Sequence, residues 1–261
     1  MEQHSSQLSA RQFEVARLAA CGYSNREIAS ELTITEQIVK NVLHSVFDKL
    51  GLWNRVELAN RFLNEEPETI LEQSRRRMEA GRLEQVCKRK ILDTKAEQVF
   101  DELAQVAVRV FDVPVAMVAL IDSKRVWFKS NIGLEVSEVP RELTICHHTI
   151  QQSQVLALAD APQDSRFVCN PLIQEFGVRF YAAAPILTDD GYALGVVCIV
   201  DRVPRQFSAS QLSILTSLAR IALEQIDLRS KLLEMEPARS EQDNSEAAAE
   251  GSAFHAEQTA A

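Results

Sequence analysis

Apolar residues in the first sixty positions recur at helical spacing in four short groups. Ser9, Ser24 and Thr35 are placed to cap the first three helices, and a fourth helix is predicted over 54–63. Gly51 stands where the third helix should end. Short helices around one small core, with a turn before the third, form the helix-turn-helix geometry that places a helix in a DNA major groove.

The pattern beyond residue 83 alternates between helical spacing and short apolar runs typical of strands. The predicted elements are a helix at 96–111, strands at 115–121 and 126–130, a helix at 142–152, an extended segment at 155–158, strands at 180–187 and 193–200, and a long helix after Ser208. The Asp-Gly pair at 190–191 supplies a tight turn between the last two strands. Adjacent hairpins with flanking helices favour an antiparallel α+β sandwich over a parallel dinucleotide-binding sheet.

Changes in composition divide the chain into four segments. Residues 1–64 hold the helix-turn-helix, and 65–82 are predicted to be a charged helical linker that follows a proline-broken seam. The second domain extends over 83–232. Residues 233–261 are acidic, rich in alanine and serine and nearly free of apolar residues, which predicts a disordered tail.

The first domain carries the sequence blocks LSARQFEV at 8–15, GYSNREIA at 22–29, VKN at 39–41 and KLGLWNR at 49–55. In these blocks it resembles the DNA-binding domain of LuxR-type bacterial regulators. The resemblance implies that the third helix reads bases in the major groove through Lys40, Asn41 and His44. Lysine can contact guanine, and asparagine can pair with adenine. The resemblance also implies phosphate contacts through Ser24, Asn25, Arg26 and Lys49.

Charge is distributed unevenly for a protein that binds nucleic acid. The chain has a net charge of −9, yet residues 1–64 hold seven basic and seven acidic side chains, and most of the excess lies in the tail. A neutral domain releases few counterions and binds random DNA weakly. We therefore expect a homodimer that places two DNA-binding domains on two half-sites of double-stranded DNA.

The second domain carries the blocks ILDT at 91–94, WFK at 127–129, PRE at 140–142, CHHTI at 146–150, NPL at 170–172, RFYA at 179–182 and GVVCI at 195–199. In these blocks and in the order of its elements it resembles a GAF domain, the small-molecule sensor module. The expected fold is therefore two domains, an all-α tetrahelical helix-turn-helix and an α+β GAF-like antiparallel sheet with flanking helices. The resemblance implies a small-molecule ligand and leaves its identity open.

Five widely spaced cysteines predict reduced thiols rather than disulfide bonds. The paired short spacings of a structural zinc site are missing, so we expect no metal. The candidates for a ligand or redox pocket are Cys146, His148, Cys198, Trp127, Phe180 and Tyr181.

Cys146 has two interpretations, a partly exposed oxidant sensor beside His147 and His148, or a buried structural thiol. Three functions remain open for the second domain: a small-molecule or redox sensor, a thiol enzyme similar to methionine sulfoxide reductases, or a plain dimerisation module. A cavity lined by Cys146 favours the first two, and a filled core favours the third.

We expect a transcription regulator and not an enzyme, because the sequence shows no phosphate-binding glycine loop or other catalytic pattern. The absence of a secretion signal and of any long apolar run predicts a cytoplasmic protein with no membrane partner. The cofactor, the operator and the choice between activation and repression stay open.

Overall fold

The computed structural model of the chain describes residues 8–63, 68–152 and 154–258. The helical domain, residues 8–63, contains α1 (Ala10–Ala20), α2 (Asn25–Glu31), α3 (Glu36–Leu50) and α4 (Arg55–Phe62). The side chains of Ser9, Ser24, Thr35 and Asn54 each accept a hydrogen bond from a backbone N–H in the first turn, so the predicted helix starts are confirmed. Fully buried apolar side chains from all four helices form one core.

A single helix, α5 (Glu68–Lys88), connects the two domains and packs on both. Ser74 Oγ donates a hydrogen bond to the carbonyl of Ala20 at 2.5 Å, and Met78 joins the core of the helical domain. One turn later, Arg82 Nη1 donates to the carbonyl of Ile121 at 2.6 Å. The predicted linker is therefore helical where it is described, while residues 64–67, which include its expected start, lie outside the described residues.

The sheet domain begins after α5, and its described residues form six strands. Its elements are α6 (Gln98–Phe111), β1 (Val115–Ile121), β2 (Arg125–Ile132), β3 (Glu138–Pro140), α7 (Ile145–Thr149), β4 (Leu156–Leu158), α8 (Pro171–Glu175), β5 (Phe180–Leu187), β6 (Ala193–Asp201) and α9 (Ala209–Gln258). The strand order is β3-β2-β1-β6-β5-β4, and every neighbouring pair is antiparallel. This arrangement confirms the predicted α+β sheet.

The sheet is covered on both faces. Helices α6 and α9 cover one face, with Phe100, Phe180 and Leu215 in the shared core. The other face carries a second core, which α7 and the segments around α8 cover. Side chains of a strand alternate between faces, so consecutive residues of β5 belong to different cores.

Two expectations differ from the structure. The helix predicted at 142–152 is interrupted at Thr144, whose extended backbone and side-chain oxygen cap a new helix, α7, after a short 3-10 turn at Arg141–Leu143. The tail expected to be disordered is helical as far as Gln258, as a continuation of α9. Alanine and glutamate, which dominate this segment, have high intrinsic helix propensity. Residues 259–261 lie outside the described part.

Candidate functional site

The exposed face of α3 presents the three predicted base-reading residues together. Lys40, Asn41 and His44 are exposed. His44 follows Lys40 by four residues and Asn41 by three, so the three side chains lie on one side of the helix. Gln37 Nε2 donates a hydrogen bond to Asn41 Oδ1 at 3.0 Å. The buried side of α3 holds Val39 and other apolar residues of the helical core. The polar face of α3 is therefore accessible to a DNA groove.

The four predicted phosphate-contact residues lie in different environments. Arg26 and Lys49 are exposed, and Lys49 Nζ is 2.8 Å from Gln12 Oε1. The Ser24 hydroxyl accepts a hydrogen bond from the backbone N–H of Glu27 and so caps α2. Asn25, by contrast, is buried. In this conformation its side chain is not available to a phosphate.

Asn25 is buried because the sheet domain binds it. Its Nδ2 donates a hydrogen bond to Asp190 Oδ2 at 2.8 Å, and its Oδ1 accepts one from Arg55 Nη2. Arg55 Nε also donates to the carbonyl of Asp190 at 2.9 Å, and Nη1 donates to the carbonyl of Tyr23 at 2.8 Å. The Arg55 guanidinium lies over the ring of Tyr192. We call Asn25, Arg55, Asp190 and Tyr192 the interdomain clasp.

The β5–β6 turn is shaped to make this contact. Thr188 Oγ1 donates to Asp190 Oδ1 at 2.6 Å, and Gly191 has a φ of +82° that favours glycine. A Cβ at Gly191 would lie 2.9 Å from Cζ of Phe47, in the core of the helical domain. Glycine therefore serves both the turn and the close approach of the two domains.

Arg55 and Asp190 were not predicted as site residues. Asp190 was part of a predicted turn, and Arg55 was the last residue of the KLGLWNR block, to which the resemblance assigned no contact at position 55. The clasp joins positions 165 residues apart, as in the pair of Asn25 and Asp190, and local periodicity holds no information on such pairs.

A small apolar cavity lies on the sheet face opposite α6 and α9. Its volume is about 80 Å³, and its lining includes Met117, Phe128, Cys146, Ile173, Phe176 and Tyr181. Two residues of the predicted pocket, Cys146 and Tyr181, are therefore together at this cavity. Tyr181 Oη donates a hydrogen bond to Cys146 Sγ at 3.4 Å and lies 3.0 Å from Thr149 Oγ1.

The other predicted pocket residues do not line the cavity. Trp127 and Phe180 belong to the core under α6 and α9, because alternation along β2 and β5 turns them to that face. His148 packs edge-on against Phe167, with ring centres 4.9 Å apart. Cys198 is fully buried in β6 on the same side of the sheet as Cys146.

The thiol pair is shielded from water. A hydrogen bond with Cys146 and complete burial raise the pKa of the Cys198 thiol well above its ordinary value, so this thiol stays protonated at neutral pH. Burial likewise raises the pKa of Tyr181. The exposed thiols of the described residues are those of Cys87 and Cys169. Within the same residues, no group of three His, Cys, Asp or Glu side chains is placed to hold a metal ion.

No helix in the described ranges is both long and apolar enough to span a bilayer.

Comparison with known proteins assigns both domains. The family of GAF domains matches residues 95–226, and the family of bacterial regulatory proteins, luxR family, matches residues 6–62. The chain is 36% identical over 138 residues to a cyclic di-GMP phosphodiesterase of Pseudomonas aeruginosa. That match covers 52% of this chain and 24% of the relative, so the chain spans about a quarter of the relative's length.

Two solved structures similar to this one have low sequence identity to it. The GAF domain of an Acinetobacter phosphoenolpyruvate-protein phosphotransferase is 16% identical, with 60% of this chain and 98% of that chain covered and a TM-score of 0.45. A free methionine-R-sulfoxide reductase of Neisseria meningitidis is 19% identical, with 60% and 92% covered and a TM-score of 0.43. The two family matches by themselves show that the chain belongs to the GAF domain family and carries a DNA-binding helix-turn-helix domain of the luxR family of bacterial regulatory proteins.

Proposed function

We propose that this protein is a transcription regulator whose helical domain binds DNA only when the GAF domain releases it. The observation that carries the proposal is the hydrogen bond between Asn25 and Asp190, which joins a phosphate-contact position of the helical domain to the GAF domain. Lys40, Asn41 and His44 read bases, and Arg26 and Lys49 hold the DNA backbone.

The clasp and DNA compete for Asn25. The Asp190 carboxylate takes the place of a DNA phosphate at the Asn25 amide, since both are anionic hydrogen-bond acceptors. Asn25, Arg55 and Asp190 are nearly fully buried, so opening the clasp separates a desolvated polar network. If opening costs roughly 2 kcal/mol, only a few per cent of molecules are competent, and the apparent DNA affinity falls by about thirtyfold.

The apolar cavity and the clasp lie at opposite ends of one hairpin. Its lining includes Tyr181 on β5 and Val200 on β6, and the turn between these two strands holds Asp190. A small apolar ligand that enlarges the cavity displaces the strands, and the displacement reaches Asp190 through a continuous hairpin. The redox form of this control is oxidation of the Cys146 thiol by hydrogen peroxide to a sulfenic acid, with release of water.

Residues of α6 and α9 support a homodimer. Ile214, Ile221, Leu228 and Met235 recur every seven residues along α9 and are exposed. A seven-residue apolar repeat is typical of helices that pair. Pairing of α9 across a two-fold axis brings two neutral DNA-binding domains to two half-sites.

A thiol enzyme is the second candidate, because Cys146 lines the cavity rather than a filled core. It predicts reduction of free methionine sulfoxide to methionine and water by a dithiol, with loss of turnover in Cys146→Ser. A regulator predicts no turnover in either protein.

The experiment is a comparison of DNA affinities. Binding-site selection with the full chain first yields a DNA sequence, and fluorescence anisotropy then measures the wild type, Asp190→Ala and Asp189→Ala. Asp189 is the exposed neighbour in the same turn and controls for the lost charge. We expect Asp190→Ala to bind about tenfold tighter or more and Asp189→Ala to match the wild type. Failure to select any sequence, or unchanged or weaker binding by folded Asp190→Ala, overturns the proposal.

A further inference from the structure

A second and larger cavity lies between the two domains. Its volume is about 580 Å³, within the roughly 300–1,000 Å³ range typical of small-molecule sites. It is bounded by α4, by α5, by the segment from Arg141 to Gln151 and by the β5–β6 turn. It shares no lining residue with the apolar cavity of the GAF domain. It is therefore a separate candidate site.

The lining of this interdomain cavity is strongly basic. Among the described residues it includes four arginines and one carboxylate, Glu79, which is paired with Arg82 and Arg141. Arg75 is exposed at the cavity and has no salt-bridge partner within the described residues. Burial and the neighbouring Arg141 lower the pKa of His147, as expected in a positive environment. The charge imbalance favours an anion.

Two buried polar atoms of the lining residues have no hydrogen-bond partner among the described residues, Asn54 Nδ2 and Tyr192 Oη. The two side chains are more than nine-tenths buried. A buried donor without a partner costs free energy. Both atoms are inaccessible to solvent, and a Cβ at Gly81 of α5 would lie 2.6 Å from Tyr192 Oη, so the case for an occupant rests on the volume and the charge of the cavity.

The remaining wall is apolar, with Ala59, Met78 and Ile150. We propose that the interdomain cavity binds a small organic anion, whose phosphate or carboxylate group pairs with Arg75 and Arg141 and whose apolar part packs on Met78 and Ile150. Guanidinium groups are suited to both anions, since they donate paired hydrogen bonds to two oxygens.

The cavity is bounded by α4 of the helical domain and by the β5–β6 turn of the sheet domain, so its occupant binds the clasped conformation and stabilises it. Binding itself is independent of DNA. The consequence for DNA rests on the proposed function: an occupied cavity lowers DNA affinity, and DNA lowers the affinity for the anion by the same factor.

The test is titration calorimetry on the full chain without DNA, with phenyl phosphate, benzoate and inorganic phosphate as probes. We expect phenyl phosphate or benzoate to bind more tightly than inorganic phosphate. The tighter-binding of the two aromatic probes shows whether the cavity prefers a phosphate or a carboxylate group. Arg75→Gln should weaken binding about tenfold, whereas Arg76→Gln, its neighbour paired with Glu72 outside the cavity, should not.

Absence of binding by all three probes at millimolar concentration overturns the proposal, and so does equal weakening by the two variants. A second variant, Ile150→Glu, introduces a negative charge into the apolar wall and should abolish binding of the aromatic probe. Retained binding in that folded variant also contradicts the assignment. None of these outcomes depends on DNA binding, so failure here and failure of the proposed function are distinguishable.

Discussion

The guanidinium carbon of Arg55 lies 4.6 Å from the centre of the Tyr192 ring, so the two domains meet through a stacked cation and aromatic ring. The backbone N–H of Arg55 also faces the carbonyl of Gly191 at 3.4 Å. Arg55 is 1% exposed, and its side chain bonds to both domains. The domains are thereby joined by a buried polar contact as well as by α5.

Replacement of Arg55 should uncouple the domains. We expect Arg55→Ala to lower the free energy of unfolding by about 3 kcal/mol, because it leaves two buried acceptors, the carbonyl of Asp190 and Oδ1 of Asn25, without a donor. Differential scanning calorimetry should then show two transitions where the wild type shows one. Arg61→Ala, an exposed change on the same helix, should stay within about 0.5 kcal/mol of the wild type. A single unshifted transition for Arg55→Ala contradicts the structural role of the clasp.

Base reading and backbone contact should separate in two variants of the helical domain. Lys40→Ala should change the preferred base at one operator position, because Lys40 is on the exposed face of α3. Arg26→Ala should weaken binding to all sequences alike, since a phosphate contact carries no base preference. Binding-site selection on both variants measures this, and an unchanged selected sequence for Lys40→Ala shows that the groove assignment is wrong.

The accessibility of the thiols should distinguish buried from exposed cysteines. We expect iodoacetamide to label Cys87 and Cys169 in the folded protein, and Cys146 and Cys198 only after denaturation. Peptide mass spectrometry reads the labelling at each site. Rapid labelling of Cys146 in the folded state contradicts its burial and instead supports the redox form of sensing.

Glu79 should make stability depend on acid pH. Burial raises its pKa, but hydrogen bonds from Arg82 and Arg141 outweigh this and hold the pKa at about 2 against an ordinary 4.5. The folded pKa is the lower one, so the stabilisation is present above pH 4.5 and is lost as the pH falls towards 2. Glu79 is partly exposed, so we expect about 1–2 kcal/mol. Denaturant unfolding of Glu79→Gln between pH 7 and pH 3 should show a correspondingly smaller loss than the wild type.

The apolar stripe on α9 should control assembly. We expect Ile221→Glu to shift the full chain from dimer to monomer in sedimentation velocity, because it places a charge in the middle of the seven-residue repeat. Thr216→Glu adds the same charge on another side of the helix and should remain dimeric. A wild type that is monomeric at micromolar concentration contradicts the proposed homodimer and its binding to two DNA half-sites.

Strong local patterns predicted the elements well. The strands β1, β5 and β6 are long apolar runs, and their predicted bounds differ from the observed ones by at most one residue. The prediction missed β3, a three-residue edge strand that ends in Pro140, because so short a segment has no measurable period. Residues 233–258 were predicted to be disordered and are helical. The prediction relied on their polar composition and did not weigh the high helix propensity of alanine and glutamate.

The site was less predictable than the fold. Phe180 and Tyr181 are neighbours in one strand, so alternation alone excludes them from a common wall of the cavity, and the prediction did not apply that rule. The interdomain clasp and the basic cavity could not be predicted from the sequence for a different reason. Their residues come from segments more than a hundred positions apart, and one sequence holds no record of which distant segments meet.

The unbroken helix α5 sets the angular relationship of the two domains as well as their distance. Its contacts at Ser74 and Arg82, one on each domain, are eight residues apart. Each residue added between them would rotate one domain by about 100° about the helix axis and shift it by about 1.5 Å. Asp190 would then face a different side of the helical domain. The contact between Asp190 and the helical domain therefore depends on helical phase, which a flexible tether of the same length could not maintain.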